Sequence, residues 1–109
     1  MHELAITESI VSGVCERVGD CRVTKVVLEV GLLSGVVPDA VRFCFDVSAR
    51  GTPLEGAALQ ILERPARARC RGCQRDFQPR DALALCDCGS ADVELLEGQE
   101  LRIKSVEVI

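Results

Sequence analysis

Two pairs of cysteines, set apart by a short polar stretch, constrain this chain more than any other feature. They are Cys70-Arg71-Gly72-Cys73 and, twelve residues later, Cys86-Asp87-Cys88-Gly89. Close thiol pairs presented from tight turns supply what a tetrahedral four-sulfur metal site needs, each pair gripping one side of the ion. Thiolates suit zinc or iron, and a redox-silent role in a small module favours Zn(II) held by Cys70, Cys73, Cys86 and Cys88. The second pair is irregular, because Asp87 alone separates its sulfurs and its turn must differ from the first. Two buried thiol pairs would make an odd core around a polar insert, and a disulfide framework belongs to secreted proteins, which nothing else in the chain resembles. Arg64, Arg67, Arg69, Arg71, Arg75 and Arg80 crowd the same stretch. They are expected to offset the net negative charge of four thiolates around a divalent ion.

Composition narrows the partners. The 109 residues suffice for one domain, or a small domain with a smaller insert, and 48% hydrophobic content supports a single core. The cysteine segment is too small to bury much surface and relies on its metal. With a formal net charge of −4, no Trp or Tyr and only three Phe, the chain lacks the basic surface and stacking platforms of a nucleic-acid binder. The first residues carry no signal-peptide pattern and no apolar run reaches membrane-spanning length, so no membrane association is expected. Seven cysteines, four of them metal ligands, point to a reducing, cytoplasmic setting. Cys15, Cys21 and Cys44 are then single thiols, Cys15 and Cys44 on helix faces as small core residues.

Periodicity supplies the elements. Ile6, Ile10, Val11, Val14, Cys15 and Val18 recur at helical spacing, predicting an amphipathic helix within residues 4–18. Gly13 inside it costs up to about 1 kcal/mol relative to Ala, which implies a close packing contact. Residues 22–32 alternate as a half-buried strand, with Val26, Leu28, Val30 and Leu32 on one face and Lys25 and Glu29 on the other. Pro38 and Asp39 open a second helix ending near Arg50-Gly51. Val41, Cys44, Phe45 and Ser48 line one side of it, and Phe43 and Val47 widen the apolar face. Ala58–Arg64 reads as a strand, Val93–Leu96 as a short one and Glu100–Ile109 as a long closing one. In the last, apolar parity changes between Leu101, Ile103 and Val106, Val108, which predicts a β-bulge near Lys104-Ser105. The expected fold is a small α/β (α+β) layer, two helices on one face of a three-stranded mixed sheet, with the four-cysteine module protruding. Residues 1–64 and 94–109 form the α/β domain, and residues 65–93 the module inserted before the closing strand.

The amino terminus offers a second metal site. His2 is the single histidine, and its imidazole, its amide nitrogen and the free amine of Met1 close a five- and a six-membered chelate ring around one ion. Glu3 adds its amide nitrogen or its carboxylate. Nickel(II) and copper(II) accept such a square of nitrogens, having displaced an amide proton, whereas zinc does so poorly. Taken alone, a terminal histidine is more often a solvated side chain than a ligand.

The chain as a whole resembles the HypA/HybF hydrogenase nickel-incorporation proteins. The matching residues are Met1-His2-Glu3, then Phe43-Cys44-Phe45 followed by Gly51-Thr52 and Glu55-Gly56-Ala57. Cys70-Arg71-Gly72-Cys73, then Cys86 and Cys88-Gly89-Ser90, and the ending Glu100–Val108 complete the pattern. The second cysteine pair departs from the family, where two residues usually separate the sulfurs; were one sulfur to fall short here, water or Asp92 could take its place. The resemblance implies a nickel metallochaperone, not an enzyme, with His2 as the essential nickel ligand, Glu3 beside it, and structural zinc. It implies two partners: a maturation GTPase of the same pathway, and the large-subunit precursor of a [NiFe] hydrogenase that receives the Ni(II). The alternative is a zinc-ribbon adaptor that binds protein or nucleic acid and delivers no nickel. A dithiol redox role for Cys70 and Cys73 lacks the strand-then-helix context it needs.

Overall fold

The computed structural model describes residues 2–81 and 83–109. Its elements run α1 (Glu3–Val18), β1 (Val23–Gly31), α2 (Pro38–Ala49), β2 (Ala58–Arg64), β3 (Arg67–Cys70), β4 (Asp76–Phe77), β5 (Val93–Glu97) and β6 (Leu101–Val108). They form two three-stranded sheets, β2-β1-β6 and β4-β3-β5. In the first, β1 is parallel to β2 and antiparallel to β6, the mixed sheet that a strand–helix–strand crossover followed by a returning strand produces.

The periodicity of α1 and the alternation of β1 meet in the core. Val11 and Val14 of α1, Val26 of β1 and Phe45 of α2 pack together with Leu54 from the loop after α2. A second group, Leu28, Val30 and Val41, extends the same layer. Register explains the sheet's contribution: Val26 lies beside Leu59 and Val106, so all three strands send apolar residues to one face. The bulge is present, with the register shifting between Val27↔Ser105 and Leu28↔Ile103 so that Lys104 is passed over. That extra residue returns Val106 to the core face that Ile103 shares with Leu28.

Four expectations need correction. Phe43 is 71% exposed and Val47 40%, so neither widens the buried face. The inward residues are Val41, Phe45 and Ala49, spaced by four, and Phe43 lies roughly 200° round the helix from Val41. A Cβ added at Gly13 would meet nothing within 4 Å, so no close contact explains the glycine. Leu32 lies beyond β1 and is exposed, while Glu29, expected on a solvated face, is buried. The cause is a clasp: Arg64 Nε and Arg102 Nη2 each donate to Glu29 Oε2 at 3.1 Å, covering the carboxylate from both neighbouring strands.

Where the sheets meet, three chain segments cross closely. The Leu33 amide donates to the Gly98 carbonyl and the Gly31 amide to the Glu100 carbonyl, both at 2.7 Å. A side chain at Gly98, whose φ is +121°, would lie 2.8 Å from the Ala66 Cα. Only glycine permits both the backbone angle and the approach. The four-cysteine module thus leaves the first sheet on two strands, through the β2–β3 and β5–β6 links.

Candidate metal centre

The second sheet exists to hold two turns face to face, and β3 and β4, short strands that periodicity did not predict, frame the first. At the end of β3 the Cys70 amide donates to the Arg75 carbonyl at 2.8 Å, and the Gln74 amide returns to the Cys70 carbonyl at 2.9 Å. The turn is tight enough to put Gln74 at φ +63°, a left-handed conformation unusual for a side-chain-bearing residue. It also points the Cys73 amide at Cys70 Sγ, 3.4 Å away.

The one-residue spacer of the second turn is accommodated by its own hydrogen bonds. The Cys86 amide donates to the Ser90 carbonyl at 3.1 Å and the Gly89 amide to the Cys86 carbonyl at 2.9 Å, with Gly89 at φ +90°. Glycine there is required by the backbone. The two turns are then tied together, since the Arg71 amide donates to the Asp92 carbonyl at 2.9 Å and Arg71 Nη1 lies 3.0 Å from Asp92 Oδ1. At Gly72 an added Cβ would sit 3.3 Å from Ser90 Oγ, so the absence of a side chain lets the turns approach.

The outcome is a sulfur cluster. Cys70 Sγ lies 3.6 Å from Cys88 Sγ, and Cys73 Sγ 3.6 Å from Cys86 Sγ. All four sulfurs lie within 4.8 Å of one another. A tetrahedron with metal–sulfur bonds of about 2.3 Å has edges of about 3.8 Å, so the cluster fits a single ion. The pairings cross between turns, and the sulfurs stand far beyond disulfide bonding distance. Electrostatics agree. The Cys73 amide, aimed at its sulfur, holds the Cys70 thiol down at about 6. At Cys88 the Ser90 amide favours the thiolate, but the neighbouring sulfurs of Cys86 and Cys70 outweigh it and push the thiol up to about 11. A cation among them converts that mutual repulsion into attraction and releases the protons.

All four predicted cysteines are therefore brought together, and Asp92 is engaged by Arg71 rather than standing in for a sulfur. Of the six arginines expected to neutralise the thiolates, four pair with carboxylates: Arg69 binds Asp76 at 2.7 Å, Arg67 lies 3.9 Å from Glu97, Arg64 clasps Glu29, and Arg71 holds Asp92. Sequence spacing carried no sign of these pairs, because each joins different strands or turns.

At the other predicted site, His2 is exposed and stands at the start of α1, its carbonyl accepting the Ile6 amide at 3.0 Å. Glu3 is buried, and its Oε2 accepts the Val37 amide at 3.2 Å. Met1, the third predicted nickel donor, lies outside the described residues.

A family model described as hydrogenase/urease nickel incorporation, metallochaperone, hypA matches residues 1–108. The chain belongs to the HypA family. Among its HypA relatives, the hydrogenase maturation factor HypA of Trichormus variabilis is 47% identical over 108 residues, covering 99% of this chain and 96% of that one. The factor of the same name from Geotalea uraniireducens is 47% identical over 109 residues, covering 99% of each chain. Two solved structures share the HypA fold at 22% identity. One, the solution structure of HypA protein, has a TM-score of 0.70, covering 100% of this chain and 97% of that one. The other, of the Ni metallochaperone HypA from Helicobacter pylori, has a TM-score of 0.67 with 100% and 98% covered. HypA is a family of maturation factors rather than of enzymes.

Proposed function

We propose that this chain is a nickel carrier that binds Ni(II) at its amino terminus and hands it to the large-subunit precursor of a [NiFe] hydrogenase. The observation that carries the reading is the family match beginning at residue 1, where His2 stands exposed at the head of α1. The donors are the Met1 amine, the His2 imidazole and amide, and Glu3. An exposed terminal site suits a carrier, because a competing ligand can displace its donors one at a time, whereas a buried cage releases its ion slowly. The four sulfurs of Cys70, Cys73, Cys86 and Cys88 hold Zn(II), whose role is to fold the segment rather than to react. Soft, fully protein-supplied tetrahedral donors favour that ion over nickel, which is better served by a planar nitrogen set. Labour then divides between the first sheet with its two helices, which carry nickel, and the second sheet with its two cysteine turns, which zinc folds. The hand-over takes place in the cytoplasm and involves the pathway's maturation GTPase. Among the described residues no helix is long and apolar enough to cross a membrane.

Nickel titration of untagged, zinc-loaded protein beside its His2→Ala variant tests this. Wild type should take up nickel near neutral pH and His2→Ala should not, with zinc content equal in both. Equal nickel uptake by the two proteins refutes the terminal site.

A further inference from the structure

β6 ends the first sheet, and among the described residues no strand pairs with its outer edge. Bonds at the two ends of the strand fix which backbone groups that edge presents. The Glu100 carbonyl accepts the Gly31 amide and the Ile109 amide donates to the Arg22 carbonyl, so both residues turn inward, toward β1. Alternation from either end then turns the N–H and C=O of Leu101, Ile103, Val106 and Val108 outward. The bulge at Lys104 keeps the two halves in step. Ile103 lies beside Leu28 and Val106 beside Val26, with Leu101 beside Val30 and Val108 beside Val23, all on the face that the helices cover. Three of these apolar residues nonetheless remain exposed, Leu101 by 37%, Ile103 by 39% and Val108 by 47%. Arg102 and Glu107, beside Glu29 and Lys25, lie on the opposite face.

We propose that a second copy of this chain docks on the edge: two β6 strands pair antiparallel about a two-fold axis between Lys104 and Ser105, joining both sheets into one of six strands. The strand is complementary to itself in that register. Leu101 meets Val108 of the second copy and Ile103 meets its Val106, all four with outward backbone groups, so each pair exchanges both hydrogen bonds. Arg102 comes opposite Glu107 of the second copy on the other face, and the symmetry makes this opposite-charge pair twice. Arg102 gives Nε and Nη2 to Glu29, which leaves Nη1 for the new pair. Without the bulge, Ile103 and Val106 would point to opposite faces and could not meet. Beside the edge, Gly13, Val14 and Val18 of α1 bound a groove with Ile103 and Val106. A Cβ at Gly13 meets nothing, so the glycine leaves room there for the apolar side chains that the second copy brings. Lys104 falls opposite Ser105 of the second copy, which sets the two lysines on either side of the axis. Their repulsion and the paired bulges keep the association weak and reversible. None of this depends on where nickel binds.

Sedimentation of untagged, zinc-loaded protein from micromolar to millimolar concentration tests the proposal, with wild type, Glu107→Arg and Lys104→Ser compared. Both substituted side chains are exposed, so each variant should fold, which circular dichroism checks. Wild type should show a monomer–dimer equilibrium. Glu107→Arg, which sets like charges across the axis, should weaken it about tenfold or more, and Lys104→Ser should strengthen it about two- to fivefold. Amide exchange at Leu101, Ile103, Val106 and Val108 should slow as concentration rises, while Arg102 and Glu107, already bonded to β1, should not change. A sample mixed from two isotope labels should bring the Hα of Arg102 close to the Hα of Glu107 in the other copy, since non-hydrogen-bonded pairs are the nearer ones. Wild type and Lys104→Ser that both stay monomeric at millimolar concentration overturn the proposal. So does a dimer that is indifferent to Glu107→Arg, or one whose four outward amides exchange as they do in the monomer.

Discussion

Glu29 and Arg102 face each other across β1 and β6, and both Nε and Nη2 of the arginine reach the same carboxylate oxygen, at 3.3 and 3.1 Å. Arg64 reaches that oxygen from β2, so one acidic residue on the central strand is shared by arginines on both edges. The clasp lies beside the crossing of chain segments that links the two sheets.

Its pH dependence follows from the charges. The Arg64 guanidinium, and then Arg102, hold the Glu29 carboxyl below its ordinary range. Because the folded-state value is depressed, the stabilisation is present above the unfolded carboxylate range and is lost as pH falls through the folded value. Thermal melts between about pH 6 and about pH 3 should show wild-type stability declining toward acid. Glu29→Gln should start lower at neutral pH, with two guanidinium groups facing a neutral amide, and decline less steeply. Parallel curves for the two proteins would remove Glu29 from the acid transition.

The two phenylalanines of α2 should behave oppositely. Phe45 is buried against α1 and β1, so Phe45→Ala should cost about 3–5 kcal/mol in urea unfolding. Phe43→Ala, at a solvent-facing position, should change stability by no more than about 0.5 kcal/mol. Similar losses from both would mean that α2 is rotated from the arrangement described.

Two glycines provide a second contrast. Gly13→Ala should stabilise the protein by up to about 1 kcal/mol, since α1 gains helix propensity and meets nothing. Gly31→Ala should destabilise it by at least about 1–3 kcal/mol, because the new methyl group collides with the Gly98 backbone. Chemical denaturation of both variants decides the matter, and a stable Gly31→Ala protein would contradict the tight crossing.

Metal removal should act on one sheet. With Cys73→Ala, or after a strong chelator, metal analysis should show the zinc lost and amide exchange in β3–β5 should rise toward the unfolded rate, while β1, β2 and β6 remain protected. The sulfurs of Cys73 and Cys86, now 3.6 Å apart, are the pair whose loss opens the cluster. Full zinc occupancy in Cys73→Ala would show that this residue is not a ligand.

Much of this molecule could be read along the chain. The spacing of Cys70, Cys73, Cys86 and Cys88 declared a clustered site, because turns bring near neighbours together whatever surrounds them. The helical stripe from Ile6 to Val18 and the parity change around Lys104 likewise report local geometry, and α1 and the β6 bulge follow from them. The short strands β3 and β4 escaped, since two to four residues carry too little periodicity to register.

Residue order therefore settles whatever depends on neighbours a few positions apart: the turns, the periods, the sulfur pairs and the helix starts. Which of Phe43 and Phe45 is buried was settled by packing between elements. Packing alone brought Glu29 to arginines 35 and 73 residues away and carried the Glu3 carboxylate to Val37. Those outcomes depend on how strands register and helices rotate against one another. The free energy of burying a side chain or pairing a charge is a property of two distant segments together, which neither segment records on its own.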